Sequence, residues 1–133
     1  MKLSSLFTDE NGDSYFADVE SASPPDSNKE RQQDTLYWQI WETQPGHFAD
    51  FKPTDAPKCC AMLSGKMEVT TSLGEKRYFS RGDTWLMQDL KGKGHAIRTV
   101  GWEPCTVLLC TMKDVMTPQA AGEGRAPGEY QQR

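Results

Sequence analysis

Histidine is scarce in this chain of 133 residues, which has only His47 and His95. Long apolar runs are missing as well. Nothing approaches the roughly 20 consecutive apolar residues of a membrane helix, so no membrane partner is expected. The four cysteines, Cys59, Cys60, Cys105 and Cys110, form no Cys-x-x-Cys pair. That spacing argues against a zinc or redox motif and fits reduced thiols in a cytosolic protein. Residues Met1–Glu10 turn acidic too soon to hold the apolar core of a secretory signal, which again points to the cytoplasm.

A basic excess is absent too. Fifteen Lys and Arg against 19 Asp and Glu leave a net charge of −4 and a pI near 5.1. No broad face for nucleic acid is therefore expected. Gly92-Lys93-Gly94 lacks the spacing of a phosphate-binding loop, and there is no Gly-x-Ser-x-Gly elbow or His-Glu-x-x-His helix. No internal repeat and no long amphipathic helical pattern occur. The length predicts one domain with a real core, and a mean hydropathy of −0.72 predicts a soluble one.

What is present is a series of short β-prone runs cut by turns. Asn11-Gly12 is a hairpin signal that predicts pairing of Leu6–Thr8 with Ser14–Phe16. Ser21–Asp34 is rich in proline, serine and charge and reads as a loop or covering arm. Leu36–Glu42 is aromatic, with Leu36, Trp38 and Ile40 on one face and Tyr37 and Trp41 on the other, so both faces are expected to be covered. Further strands are predicted over His47–Phe51, Lys58–Leu63, Lys66–Thr71, Lys76–Phe79, Thr84–Gln88, His95–Val100 and Cys105–Met112, separated by Ser64-Gly65, Leu73-Gly74-Glu75, Arg81-Gly82 and the loop Asp89–Gly94. Residues 1–114 read as the domain, and Val115–Arg133 as a flexible tail. The architecture is all-β.

These residues resemble the single-domain cupins, small jelly-roll proteins built as a double-stranded β-helix. The window Lys52-Pro53-Thr54 to Lys58, followed by Gly65, fits the spacing of the first cupin motif. Gly82-Asp83 followed by Gly92-Lys93-Gly94-His95 fits the second. The opening Leu6-Phe7-Thr8-Asp9 and Phe16-Ala17-Asp18-Val19-Glu20 adds to the likeness, which spans about residues 6–112. It implies a jelly-roll barrel and a homodimer whose contact comes from Leu36–Glu42 or from Ser21–Asp34. It leaves activity open, because cupins host many chemistries.

The resemblance also implies metal ligands: two histidines and a glutamate in the first motif and a histidine in the second. This chain has Lys52, Thr54 and Lys58 at the first three positions and keeps only His95. A protonated lysine has no lone pair and repels a divalent cation. No metal and no cofactor are therefore expected. An atypical metal site of His47, Cys60 and His95, serving a dioxygenase, is the alternative.

His95 is the candidate general acid/base, since an imidazole exchanges protons near neutrality. Lys58 would point into the barrel with Cys60 and Met62 if it follows the cupin glutamate, as an anion clamp, a base or a member of an ion pair. Lys52, Tyr37, Trp38, Cys60 and Trp85 are candidate substrate contacts. For Cys60 and most of the aromatics, plain core packing is the competing reading. The expected function is a metal-independent enzyme of isomerase, cyclase, dehydratase or lyase type acting on a small oxygenated metabolite. A non-catalytic binding protein is the alternative.

Overall fold

A computed structural model describes residues 3–19 and 31–117. It contains ten strands: β1 (Ser4–Thr8), β2 (Ser14–Asp18), β3 (Thr35–Thr43), β4 (Phe48–Lys52), β5 (Lys58–Ser64), β6 (Lys66–Thr70), β7 (Lys76–Ser80), β8 (Thr84–Met87), β9 (His95–Val100) and β10 (Cys105–Met112). No helix occurs among the described residues. The strands form a six-stranded sheet in the order β2-β1-β8-β5-β10-β3 and a four-stranded sheet in the order β4-β9-β6-β7. Among the described residues, only the β1–β8 pair is parallel. The two sheets face each other as a jelly roll, the all-β architecture expected from the sequence.

Alternation puts one face of each strand inward. In β6, Met67 and Val69 are buried while Lys66 is exposed. These side chains meet Leu6, Phe16, Phe79, Trp85 and Val107 between the sheets. Phe79 and Trp85 stack with ring centroids 4.8 Å apart. A second apolar cluster lies on the outer side of the six-stranded sheet, where Leu3, Phe7, Val19, Leu86, Met112 and Met116 pack together.

The β1–β2 hairpin forms as expected, pairing Leu6 with Phe16 and Thr8 with Ser14 across a turn over Asp9–Asp13, in which Asp9 Oδ1 accepts the N–H groups of Asn11 (2.8 Å) and Asp13 (3.0 Å). Two other sequence expectations change. The chain beyond Val115 does not detach at once: Met116 is buried, its N–H donates to Gln88 Oε1 (2.6 Å), and its carbonyl accepts from Gln88 Nε2 (2.8 Å). The rest of the expected tail, from residue 118 on, lies outside the described residues. So do residues 21–30 of the expected arm Ser21–Asp34. The second change concerns β3. Leu36, Trp38 and Ile40 are 64%, 68% and 48% exposed, and Tyr37 on the other face is 51% exposed. As the last strand of its sheet, β3 lies over no second layer along most of its length.

Candidate functional site

The loop between β8 and β9 is held on three sides. Gly92 adopts φ +74° and lies so close to Gly12 that a Cβ there would collide with the Gly12 backbone. Gly94, at φ +73°, abuts the Lys52 carbonyl in the same way. Only glycine permits both the left-handed backbone and the approach. Lys93 N–H donates to the Gly12 carbonyl (2.9 Å), Ser14 Oγ to the Gly94 carbonyl (2.7 Å), and Thr8 Oγ1 to the Lys91 carbonyl (3.0 Å). Lys93 Nζ also pairs with Asp13 at 3.0 Å. The loop therefore delivers His95 to the start of β9 in a fixed pose.

Folding of that loop brings together a pair the sequence analysis did not assemble. Asp89 is fully buried and His95 is 7% exposed, with Nδ1 2.5 Å from Asp89 Oδ2. A carboxylate only accepts, so His95 Nδ1–H donates to it. This leaves Nε2, in the neutral ring, as the nitrogen with a lone pair for the cavity. Asp89 is itself held by its backbone, whose carbonyl accepts from Thr54 N–H at 3.1 Å. Its second oxygen, Oδ1, has no protein partner.

His95 opens onto a cavity of about 700 Å³ between the sheets. Its apolar wall comes from Trp41, Ala49, Met87, Ile97 and Leu109, and its polar groups from Gln39, Asp50, Lys52, Asp55 and Lys58. Lys52 lies opposite His95 across the β4–β9 pair. Lys58 is half-buried, and its Nζ lies 2.9 Å from Asp55 Oδ1, an oxygen on a side chain 80% exposed. The hydrogen bond and charge of Lys58 hold the Asp55 carboxyl below its usual range. Asp50 Oδ1 is turned back to accept the Phe51 N–H at 2.8 Å.

Three of the residues singled out from the sequence, His95, Lys58 and Lys52, therefore meet in one cavity. Four do not reach its lining. Cys60 is fully buried in the core, where burial pushes its thiol well above the ordinary range. Trp85 is 1% exposed and lies against Phe79. Trp38 faces outward from β3. Tyr37 shares the inner side of β3 with Gln39 and Trp41 but stands beyond the lining. Asp89 was missed, although Asp89-x-x-Gly92-x-Gly94-His95 carries a signal: a short glycine loop that turns the chain back onto itself.

The residues present do not fit the metal ion common in cupins. His95 has one free nitrogen, Thr54 Oγ1 donates to the Ala56 carbonyl (2.7 Å), and Lys52 and Lys58 carry ammonium groups. His47 is exposed, edge-on to Trp41 at 6.2 Å, and Cys60 belongs to the core, so the atypical set of His47, Cys60 and His95 is not assembled. Among the described residues no group of three or more His, Cys, Asp or Glu could hold a metal.

Two facing sheets that enclose a cavity between them have the architecture of a cupin. The chain belongs to the EutQ-like cupin domain family, whose model matches residues 30–103. Solved structures agree on the fold. The polyketide cyclase RemF from Streptomyces resistomycificus superposes with a TM-score of 0.50 at 17% identity, over 75% of this chain and 70% of that one. The DMSP lyase DddQ from Ruegeria pomeroyi gives 0.51 at 23%, over 69% of this chain but 46% of its own. The cupin domain of Schizosaccharomyces pombe Cnp3 gives 0.50 at 17%, over 86% and 83%. No curated protein matches the chain in sequence. Among the described residues, no helix is long and apolar enough to cross a membrane.

Proposed function

We propose that this cupin acts on a small oxygenated organic anion in the cavity by acid/base chemistry that needs no metal, as an isomerase, cyclase, dehydratase or lyase. The observation that carries this reading is the buried Asp89–His95 pair, which leaves Nε2 for the cavity. A neutral imidazole fixed by a carboxylate at Nδ1 is a competent base at Nε2, and the carboxylate stabilises the imidazolium that forms. Lys58 would stabilise the developing enolate, phenolate or carboxylate by exchanging Asp55 for the substrate oxygen, with Lys52 supporting it from the rim. Trp41, Met87 and Leu109 provide apolar walls for a carbon skeleton. RemF and DddQ share only the fold at their level of identity, so the reaction type rests on the cavity residues. Four thiols that form no disulfide are in keeping with a reducing, cytoplasmic setting.

The competing reading is a binding protein without turnover. The Lys58–Asp55 pair favours it, since an ammonium already partnered by a carboxylate is a ready-made exchange site for a ligand anion. Titration with a panel of small phenolates and enolisable carboxylates, monitored by NMR, separates the two. An enzyme gives a His95→Ala variant that keeps affinity and loses turnover. A binder shows no turnover in either form and loses affinity in the variant. Stoichiometric iron, zinc or manganese in protein purified without added metal would overturn the metal-independent reading.

A further inference from the structure

Two of the four cysteines lie side by side on adjacent strands. β5 and β10 run antiparallel, and their register places Cys59 directly opposite Cys110. The bond from Met112 N–H to the Pro57 carbonyl (2.8 Å), two residues further on, shows which kind of pair this is. Hydrogen-bonded pairs recur at every second residue, so Cys110 and Cys59 form one, with Cα atoms about 5.5 Å apart. A disulfide spans Cα separations of about 4.4–6.8 Å, most often about 5.5–6 Å. Both thiols stand on the outer side of the six-stranded sheet, because their strand neighbours Cys60 and Leu109 belong to the core between the sheets.

The two thiols are unequally covered. Cys59 packs against the outer apolar cluster that holds Leu86 and Met112. Desolvation there, with Cys110 opposite, pushes its thiol up. Cys110 is half-buried, and its neighbour on the other flank is the largely exposed Trp38 of β3. Cys60 and Cys105 are fully buried and lie opposite Leu109 and Thr43, so neither has a thiol across from it. Cys110 is thus the open member of the pair and Cys59 the shielded one.

We infer that Cys59 and Cys110 are a reversible dithiol–disulfide pair that responds to hydrogen peroxide. The Cys110 thiolate attacks one peroxide oxygen and the O–O bond breaks. The departing hydroxide takes up the proton that Cys110 lost, giving one water and a sulfenic acid on Cys110. The Cys59 sulfur then attacks the Cys110 sulfur, the S–O bond breaks, and the Cys59 proton leaves with the hydroxide as a second water. Two thiols are oxidised by two electrons in total, and one peroxide is reduced to two waters. Thiol reductants reverse the bond by exchange. It would tie β5 to β10 one residue from Lys58 and Leu109, which line the cavity from the other face of the sheet.

Peroxide treatment of the full chain, followed by alkylation in denaturant and peptide mapping, tests this. Two of the four free thiols should be lost, with Cys59 linked to Cys110 within one chain, and dithiothreitol should restore both. Fragmentation between the adjacent Cys59 and Cys60 assigns the partner. In Cys110→Ser, loss of the Cys59 thiol should slow by at least about tenfold, since a shielded thiol then meets peroxide alone. In Cys59→Ser, Cys110 should stop at the sulfenic acid, which dimedone traps. Survival of both thiols under peroxide that oxidises the denatured chain would overturn the inference. So would a Cys110–Cys110 link between chains, a link through Cys60, or a Cys59 thiol whose loss is indifferent to Cys110→Ser.

Discussion

Two acid–base pairs border the same cavity, and they are built in opposite ways. Asp89–His95 is sealed, with its carboxylate fully buried and its loop clamped by Gly12, Ser14 and Lys52. Asp55–Lys58 is open, with a largely exposed carboxylate reaching a half-buried ammonium. The difference separates two tasks. A group that must present one nitrogen in one tautomer needs a partner that cannot leave. A charge that must meet an incoming anion needs a partner that can.

The most damaging way to test this contrast is to disturb the clamp. Gly94→Ala forces a Cβ onto the Lys52 carbonyl at a left-handed backbone position. It should cost more than about 3 kcal/mol or abolish folding, read as a loss of thermal midpoint. Asp89→Ala leaves a cavity and an unpartnered imidazole, and should cost about 3 kcal/mol in denaturant unfolding.

Burial acts in the same sense one residue along β5 from Lys58. Cys59 faces the other side of the sheet, and desolvation, with Cys110 opposite it, pushes its thiol up to about 11. At pH 8 it should alkylate roughly 100-fold more slowly than an ordinary thiol with a pKa near 9. A raised thiol pKa leaves stability intact below the unfolded value and removes it as pH climbs toward the folded one. Alkaline unfolding should therefore ease between about pH 9 and 11, and Cys59→Ser should lessen that slope.

The smallest effect belongs to the open pair. Asp55→Ala should change stability by about 0.5 kcal/mol or less. The lowered Asp55 carboxyl contributes stability above its unfolded pKa and loses it as pH falls through the folded value. That loss is confined to below about pH 4 and should vanish in the variant. A large loss at neutral pH would show that the two pairs do not differ as described.

All ten strands were legible in the sequence as short β-prone runs, most of them separated by turns that contain glycine or proline. Lys58, Lys52 and His95 were legible as cavity residues because the spacing of the cupin motifs places them there. Asp89 was not, since its partnership depends on a loop that folds back through two glycines at positive φ. The side chains of β3 were misjudged for a related reason. Its pattern names two faces, but whether a second layer covers either depends on which strand ends the sheet, and that is set by pairing across more than 60 residues with β10. Cys60 and Trp85 face inward as their alternation implies, yet they fall in the packed part between the sheets and not in the open one.

The arrangement of the His95 ring can be read directly by ¹⁵N NMR of its two nitrogens, with exposed His47 as the internal reference, at a pH that leaves both rings neutral. Neutral His95 should carry its proton on Nδ1 and a lone pair on Nε2, and Asp89→Asn should shift the population toward the other tautomer. A proton on Nε2 in the unmodified protein, or a tautomer indifferent to Asp89→Asn, would contradict it.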